Sequence, residues 1–433
     1  MIEKEVRELL SFIDGNPTAY HTTASVRNIL LKEGFSELLE SRRWQLKPGR
    51  SYFVCRNGSS ILAFRMGEQL ENYSFNVAAA HTDSPCFRIK ENAEIHMGRK
   101  YTKLNTEGYG GMICSTWMDR PLSVAGRVLI KENDAITSRL LTLDRDLLMI
   151  PSVAIHLDRE VNQGTALKAN TDLLPLLGCG TERGRFRSLL AEAAGVPEED
   201  ILSTELFLYP RAAAVLLGAE GEFVASPRLD DLQCVFGCLE GFLAAKEGGS
   251  VPILCVFNNE EVGSGTRQGA DSTFLTDVLE RISTALGRDW RLMAVNSFLV
   301  SADNAHAVHP AHPELSDGAE RPVLNGGVVL KYNAGQKYTT DAVSGAVFRE
   351  VCRAADVPVQ RYSNRADLPG GSTLGNISSA HLSIPSVDIG LPQLAMHAAY
   401  EVAGSRDTAL LVRAMAEYFS RSFRYLPDGS IQL

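Results

Sequence analysis

The apolar positions change their period several times along the chain, and each change predicts an element. Near the start, Val6, Leu9, Leu10 and Ile13 recur at helical spacing, and Val26, Ile29 and Leu30 repeat that pattern until Gly34 stops it. Residues 52–80 read as short β-branched and aromatic runs, separated by Asn57-Gly58-Ser59-Ser60 and by Gly67, that lead into a buried strand at 75–80. From about 91 to 224 the texture shifts to short β-like pieces, a Gly-rich stretch at Gly108-Tyr109-Gly110-Gly111 and a polar loop over 162–187. Beyond it helices and strands alternate: helix 232–246, strand 251–257, helix 274–286, strand 294–301, helix 343–355, strand 386–389 and helix 409–423. Alternation of this kind predicts an α/β fold built on a mostly parallel sheet. The expected domains are a discontinuous one, residues 1–91 and 224–433, and an inserted β-rich one, residues 92–223.

Composition agrees with two domains. The chain has 433 residues, 45% of them hydrophobic and 22% charged, which suits a globular protein too long for one ordinary core. A formal charge of -9, from 43 Lys+Arg against 52 Asp+Glu, with no cationic cluster, removes nucleic acid from the expected partners. Met1 to Arg7 alternates charge instead of forming an apolar leader, and no run of about 18 apolar residues follows, so no membrane partner and a cytoplasmic location are expected. The eight cysteines form no CxxC pair and read as reduced, buried small residues.

In open α/β sheets ligands gather beyond the carboxyl ends of the strands. Four predicted strands run directly into polar residues there: into His81-Thr82-Asp83-Ser84-Pro85, Asn258-Asn259-Glu260-Glu261, Ser301-Ala302-Asp303, and through a short loop to Met396-His397. A fifth polar run, Pro227-Arg228-Leu229-Asp230-Asp231, precedes a helix. Two imidazoles with a surplus of carboxylates form the donor set of a divalent-metal pair, whereas thiolates dominate single structural zinc sites. Two ions roughly 3.5–4 Å apart need a bridging carboxylate and two more protein ligands each. His81, Asp230, Glu261, Asp303 and His397 supply those five positions, and Glu260 remains as a carboxylate able to take a proton from the bridging water. Asp83 is expected to accept from the second nitrogen of His81 and fix its orientation. The ions could be zinc, manganese or cobalt.

These residues resemble the aspartyl aminopeptidase family of two-metal exopeptidases nearly end to end. The resemblance is carried by Ala80-His81-Thr82-Asp83-Ser84-Pro85, Ser115-Thr116-Trp117-Met118-Asp119-Arg120, the run from Ile150 to Arg159, Pro227-Arg228-Leu229-Asp230, Asn259-Glu260-Glu261-Val262-Gly263-Ser264, Ser301 to Ala307 and Pro392 to His397. It implies a zinc-peptidase catalytic domain interrupted by a dimerisation domain. Asp230 would bridge the metals, His81 and Asp303 would complete one, Glu261 and His397 the other, and Glu260 would be the general base. The resemblance further implies that His156 reaches into a neighbouring subunit's active site, that Lys331 supplies a cation for an acidic N-terminal residue, and that the chain assembles as a homo-oligomer, a dodecamer; Tyr338 is a second candidate for the pocket of Lys331. The activity expected is removal of N-terminal Asp or Glu from peptides by a metal-bridged hydroxide. Two other readings stand beside it: the same chemistry on neutral residues, and a non-catalytic scaffold or cargo protein of the same fold. Met112, Met118, Pro121 and Ala366 depart from the family pattern without removing a metal ligand, so they bear on substrate range more than on reaction type.

Overall fold

The computed structural model describes residues 4–68, 74–180, 183–426, 428 and 430–433. Parts of two expected segments, positions 69–73 and 181–182, lie outside the described residues. The chain divides into two compact units. The first comprises Met1–Asp83, Ala214–Met396 and Glu401–Leu433; the second comprises Ser84–Ala213 with His397–Tyr400.

A nine-stranded sheet organises the described part of the first unit, in the order Ser36–Leu38, Ser51–Arg56, Ser60–Arg65, Val251–Phe257, Phe75–His81, Phe298–Ala302, Ser386–Gly390, Val328–Tyr332, Val359–Ser363. Its centre is parallel: Val251–Phe257 and Phe298–Ala302 flank Phe75–His81, and Ser386–Gly390 continues the run. Every residue of Phe75–His81 is buried, as expected of a parallel strand covered on both faces. Side chains alternate between two cores. Ala78 and Ala80 pack with Phe236 and Leu411 on one face, while Val77 and Ala79 pack with Phe274 and Val278 on the other.

The helix Leu229–Ala244 lies close to Asp407–Ser420 because two glycines permit it. A Cβ on Gly237 would sit 2.5 Å from Leu411 Cδ2, and one on Gly241 would sit 3.0 Å from the Val412 carbonyl oxygen. A separate sheet in the same unit joins Val215–Leu217, Phe223–Ser226, Glu401–Gly404, Pro392–Leu394 and Ala305–His306.

The second unit is built on an antiparallel sheet, ordered Ala135–Thr142, Leu122–Glu132, Ile201–Pro210, Cys86–Met97, Tyr101–Tyr109, Leu176–Cys179. Its own core includes Phe87, Trp117, Val128, Leu190 and Leu206. Gly126 is required there, since a Cβ would fall 2.0 Å from the Glu205 carbonyl oxygen of the paired strand.

Three expectations need correction. The units part at Asp83/Ser84 and Ala213/Ala214, not at 91/92 and 223/224. The reason is pairing: Cys86–Met97 belongs to the antiparallel sheet, whereas Phe223–Ser226 pairs with Glu401–Gly404. The strand expected at 294–301 is present but starts later, as Phe298–Ala302, and residues 294–295 instead end a helix, Trp290–Val295. Asp289 caps that helix by accepting from the Arg291 N–H at 2.8 Å, and a short apolar run cannot itself distinguish the two states. The polar loop expected at 162–187 contains the strand Leu176–Cys179 and the start of the helix Arg185–Ala194. No helix among the described residues is long and apolar enough to cross a membrane.

Candidate metal centre and active site

His81 is the last residue of Phe75–His81 and pairs in parallel register with Phe257, the last residue of Val251–Phe257. The loops leaving these two strands therefore start side by side. Asn259 turns the second one sharply through a left-handed backbone, φ 63°, which asparagine tolerates better than most residues. The short turn Glu260–Val262 follows. Asp83 holds this turn: its carboxylate accepts from the Glu260 N–H at 3.2 Å and from the Glu261 N–H at 3.1 Å.

The Asp83 backbone, not its carboxylate, is the nearer partner of His81. Nδ1 of His81 lies 3.1 Å from the Asp83 carbonyl oxygen and 3.5 Å from its Oδ1. A carbonyl only accepts, so this contact assigns the proton to Nδ1. Nε2 points at Asp230 Oδ1, 3.4 Å away, and Asp303 Oδ1, 3.9 Å away, and with Nδ1 carrying the proton of the neutral ring it is the nitrogen that a metal would take.

Asp303 follows Phe298–Ala302, and Asp230 lies at the start of Leu229–Ala244. His81, Asp230, Asp231 and Asp303 are all buried, and each offers a ligand atom within 4.8 Å of the others'. His81, Glu260 and Glu261 meet the same criterion. Burial pushes the Glu260 carboxyl up to about 8; His81 opposes this, while Asp303, Asp83 and Asp230 reinforce it. Burial and neighbouring carboxylates likewise raise Glu261 and Asp231 well above the ordinary carboxylate range. For His81, burial works to lower the imidazole, yet Asp231, Asp230, Asp303 and Asp83 outweigh it. A buried cluster of this composition is costly without a cation, because like charges and lost hydration both disfavour the ionised carboxylates. Divalent metal is the group this donor set fits.

Lys331 ends on the same cluster. Its side chain is buried, and its ammonium lies 3.5 Å from Asp303 Oδ2 and 5.5 Å from the centre of the Tyr338 ring. Burial works against the ammonium, but Asp303, Tyr338, Asp388 and Asp230 hold its proton more tightly than usual. This is not the solvated lysine that most lysines are.

A family model described as "Aminopeptidase I zinc metalloprotease (M18)" matches residues 12–419. The chain belongs to the M18, or aspartyl aminopeptidase, family. "Probable M18 family aminopeptidase 2" of Clostridium novyi (strain NT) is 44% identical over 428 residues, 96% of this chain and 99% of its own. Among solved structures, the cryo-EM structure of the Ape4 and Nbr1 complex matches at TM-score 0.93 and 36% identity, over 96% of this chain and 85% of that one. The mApe1 dodecamer of S. cerevesiae matches at TM-score 0.85 and 26% identity, over 96% of each. This M18 chain is accordingly an aminopeptidase of the zinc metallopeptidase class, and the non-catalytic scaffold reading is set aside.

The first unit of this aminopeptidase brings together His81, Asp83, Asp230, Glu260, Glu261, Asp303, Lys331 and Tyr338. His397 and His156 belong to the second unit. Within it, the contact of His397 Nδ1 with the Gly111 carbonyl oxygen at 2.6 Å assigns that ring's proton to Nδ1. His156 is exposed in a turn beside Ile155 and Leu157. Asp231 received no role from the sequence: fully buried, it accepts from the His81 N–H through Oδ2 at 3.2 Å. The doublet Asp230-Asp231 ahead of an apolar helix was the available signal. Asp388 was also missed. It accepts from the Thr339 N–H and hydroxyl at 2.5 and 2.7 Å, and from the Thr373 hydroxyl at 2.7 Å, and so ties the residue after Tyr338 to the sheet.

Proposed function

We propose that this aminopeptidase removes acidic residues, Asp or Glu, from peptide N-termini at a two-metal site held by His81, Asp230, Glu261, Asp303 and His397. The observation that carries the acidic preference is the buried ammonium of Lys331 beside Asp303, with Tyr338 against it. When bound, divalent ions supply Lewis acidity and make water a better nucleophile near neutral pH; zinc is the leading choice, with manganese and cobalt compatible. Glu260 takes the proton of the attacking water and delivers it to the leaving amine. Glu260 stands outside the five-residue ligand set, so its carboxylate can accept the proton and then release it. Asp83 orients His81 and the Glu260–Glu261 turn together. Lys331 receives the side-chain carboxylate of the residue being removed.

Residues 84–213 form the self-association domain in this reading, and His156 acts at the active site of a neighbouring copy within a homo-oligomer, a dodecamer as in the yeast mApe1 structure. The exposure of Val153, Ile155 and Leu157 around His156 supports it, because these apolar side chains are then covered by a second copy.

A preference for neutral residues has one observation in its favour: Asp303 already partners Lys331. Substituting Lys331→Ala separates the two. With acidic specificity, kcat/KM on Asp- and Glu-amides falls about 10²-fold while that on Leu-amide is kept, because the substrate carboxylate loses its buried partner. Equal effects on both substrate classes, or none, would discard the acidic pocket and leave the neutral reading.

A further inference from the structure

Behind Asp230 and Asp303 the core of the first unit contains a set of polar side chains where apolar ones would pack more cheaply. Gln233, Asn304, Gln393, Glu401 and Thr408 are each 2% exposed or less. Groups buried this deeply are tolerated only when they satisfy one another, and these do. Asn304 Nδ2 lies 2.6 Å from Gln393 Oε1, 3.1 Å from Gln233 Oε1 and 3.1 Å from the Leu229 carbonyl oxygen. Gln393 Nε2 donates to Glu401 Oε1 at 3.3 Å, and Glu401 Oε2 accepts from the Asp230 N–H at 3.2 Å.

These bonds close a ring. It leaves the backbone at Leu229, passes through Asn304, Gln393 and Glu401, and returns at Asp230, the very next residue. Asn304 is itself the neighbour of Asp303, so the ring fastens the backbone beside one carboxylate to the backbone beside the other. The fastening has something to hold. Arg228 is left-handed at φ 60°, and Asp230 (φ -82°, ψ 107°) and Asp231 (φ -120°, ψ 21°) are non-helical at the start of a helix. In that conformation the Asp230 N–H has no place in the helical ladder, and Glu401 provides its acceptor.

We infer that Glu401, Gln393 and Asn304 are positioning residues for metal binding, which set Asp230 against Asp303 through the peptide at 229–230; this rests on the assignment of Asp230 and Asp303 as metal ligands. Their contribution is to the geometry of the donor set and not to packing alone. Polar groups that orient metal ligands are typically worth about 10- to 100-fold in metal affinity.

The test is the zinc affinity of the full chain, read by competition with a chromophoric chelator, alongside thermal unfolding of the metal-free protein. Glu401→Leu and Gln393→Met should each weaken zinc binding about 10- to 100-fold while the metal-free protein still unfolds cooperatively. Glu401→Gln keeps an acceptor for the Asp230 N–H and should recover much of the loss. Zinc affinity within about twofold of wild type in the folded variants, or equal losses for Glu401→Gln and Glu401→Leu, would overturn the inference. Should Glu401→Leu fail to fold, Gln393→Met carries the same test, because it cuts the ring while leaving Glu401 and Asn304 in place. An Asp230→Asn control separates the two failures: if that variant also binds zinc as wild type does, the ligand assignment is what has failed.

Discussion

In the first unit the strand Phe75–His81 carries an imidazole that is 1% exposed into a group of buried carboxylates, whereas in the second unit the turn around His156 leaves Leu157 83% exposed. The two regions are unfavourable in opposite senses. One gathers like charges away from water, and the other leaves apolar side chains in it. A divalent cation would relieve the first, and in the proposed assembly a second copy would cover the second. The residues proposed to carry function thus lie where the folding rules are locally broken, while the cores around Phe236, Phe274 and Leu206 obey them.

The largest effect is expected at Glu260. The substitution Glu260→Gln should lower kcat by at least about 10²-fold with metal still bound, because the proton acceptor is removed and the donor cluster is kept. Metal content measured on the same sample separates a lost base from a lost site.

A smaller effect concerns stability. In the metal-free protein Glu260 holds its proton up to about pH 8, and Glu261 and Asp231 are raised as well. Unfolded, these groups titrate in the ordinary carboxylate range, so the folded state binds more protons than the unfolded one across the interval between. His81, raised above its ordinary value, contributes in the same direction, since stability from a raised group is present at low pH and lost as pH climbs. Metal-free protein should therefore lose stability as pH rises from about 5 to 8, and divalent metal should abolish the loss while releasing protons. Thermal melts with chelator and with zinc across that range check it; a metal-free curve that rises with pH would mean the cluster is not as crowded as described.

The smallest effect is expected on the other side of the comparison. Leu157→Ser should change the unfolding free energy of the chain by no more than about 0.5 kcal/mol, as surface substitutions do, yet reduce the assembled mass in solution. An unchanged mass by light scattering would show that Leu157 faces water in the assembly as well.

Much of this organisation was legible because strand ends carry their chemistry in adjacent residues. His81, Asp83, Glu260, Glu261 and Asp303 each follow a strongly apolar strand, so period and position marked them together. The strand Phe298–Ala302 was begun too early because Met293-Ala294-Val295, the end of a helix, is an apolar run too short to show its period. Asp231, Asp388 and the ring through Asn304, Gln393 and Glu401 escaped for another reason: their partners lie far away in the sequence, and no local pattern distinguishes a buried, satisfied polar side chain from an exposed one. The unit boundary was displaced because Cys86–Met97 declares its sheet only through its pairing.

Turnover on a panel of N-terminal residue amides, acidic against aliphatic, with chelator and with zinc or manganese restored, tests both the metal dependence and the acidic preference. Cleavage that chelator abolishes, that metal restores, and that favours Asp or Glu is expected. Chelator-resistant cleavage, or no cleavage with any metal, would contradict it, and metal-dependent cleavage favouring Leu would contradict the role given to Lys331.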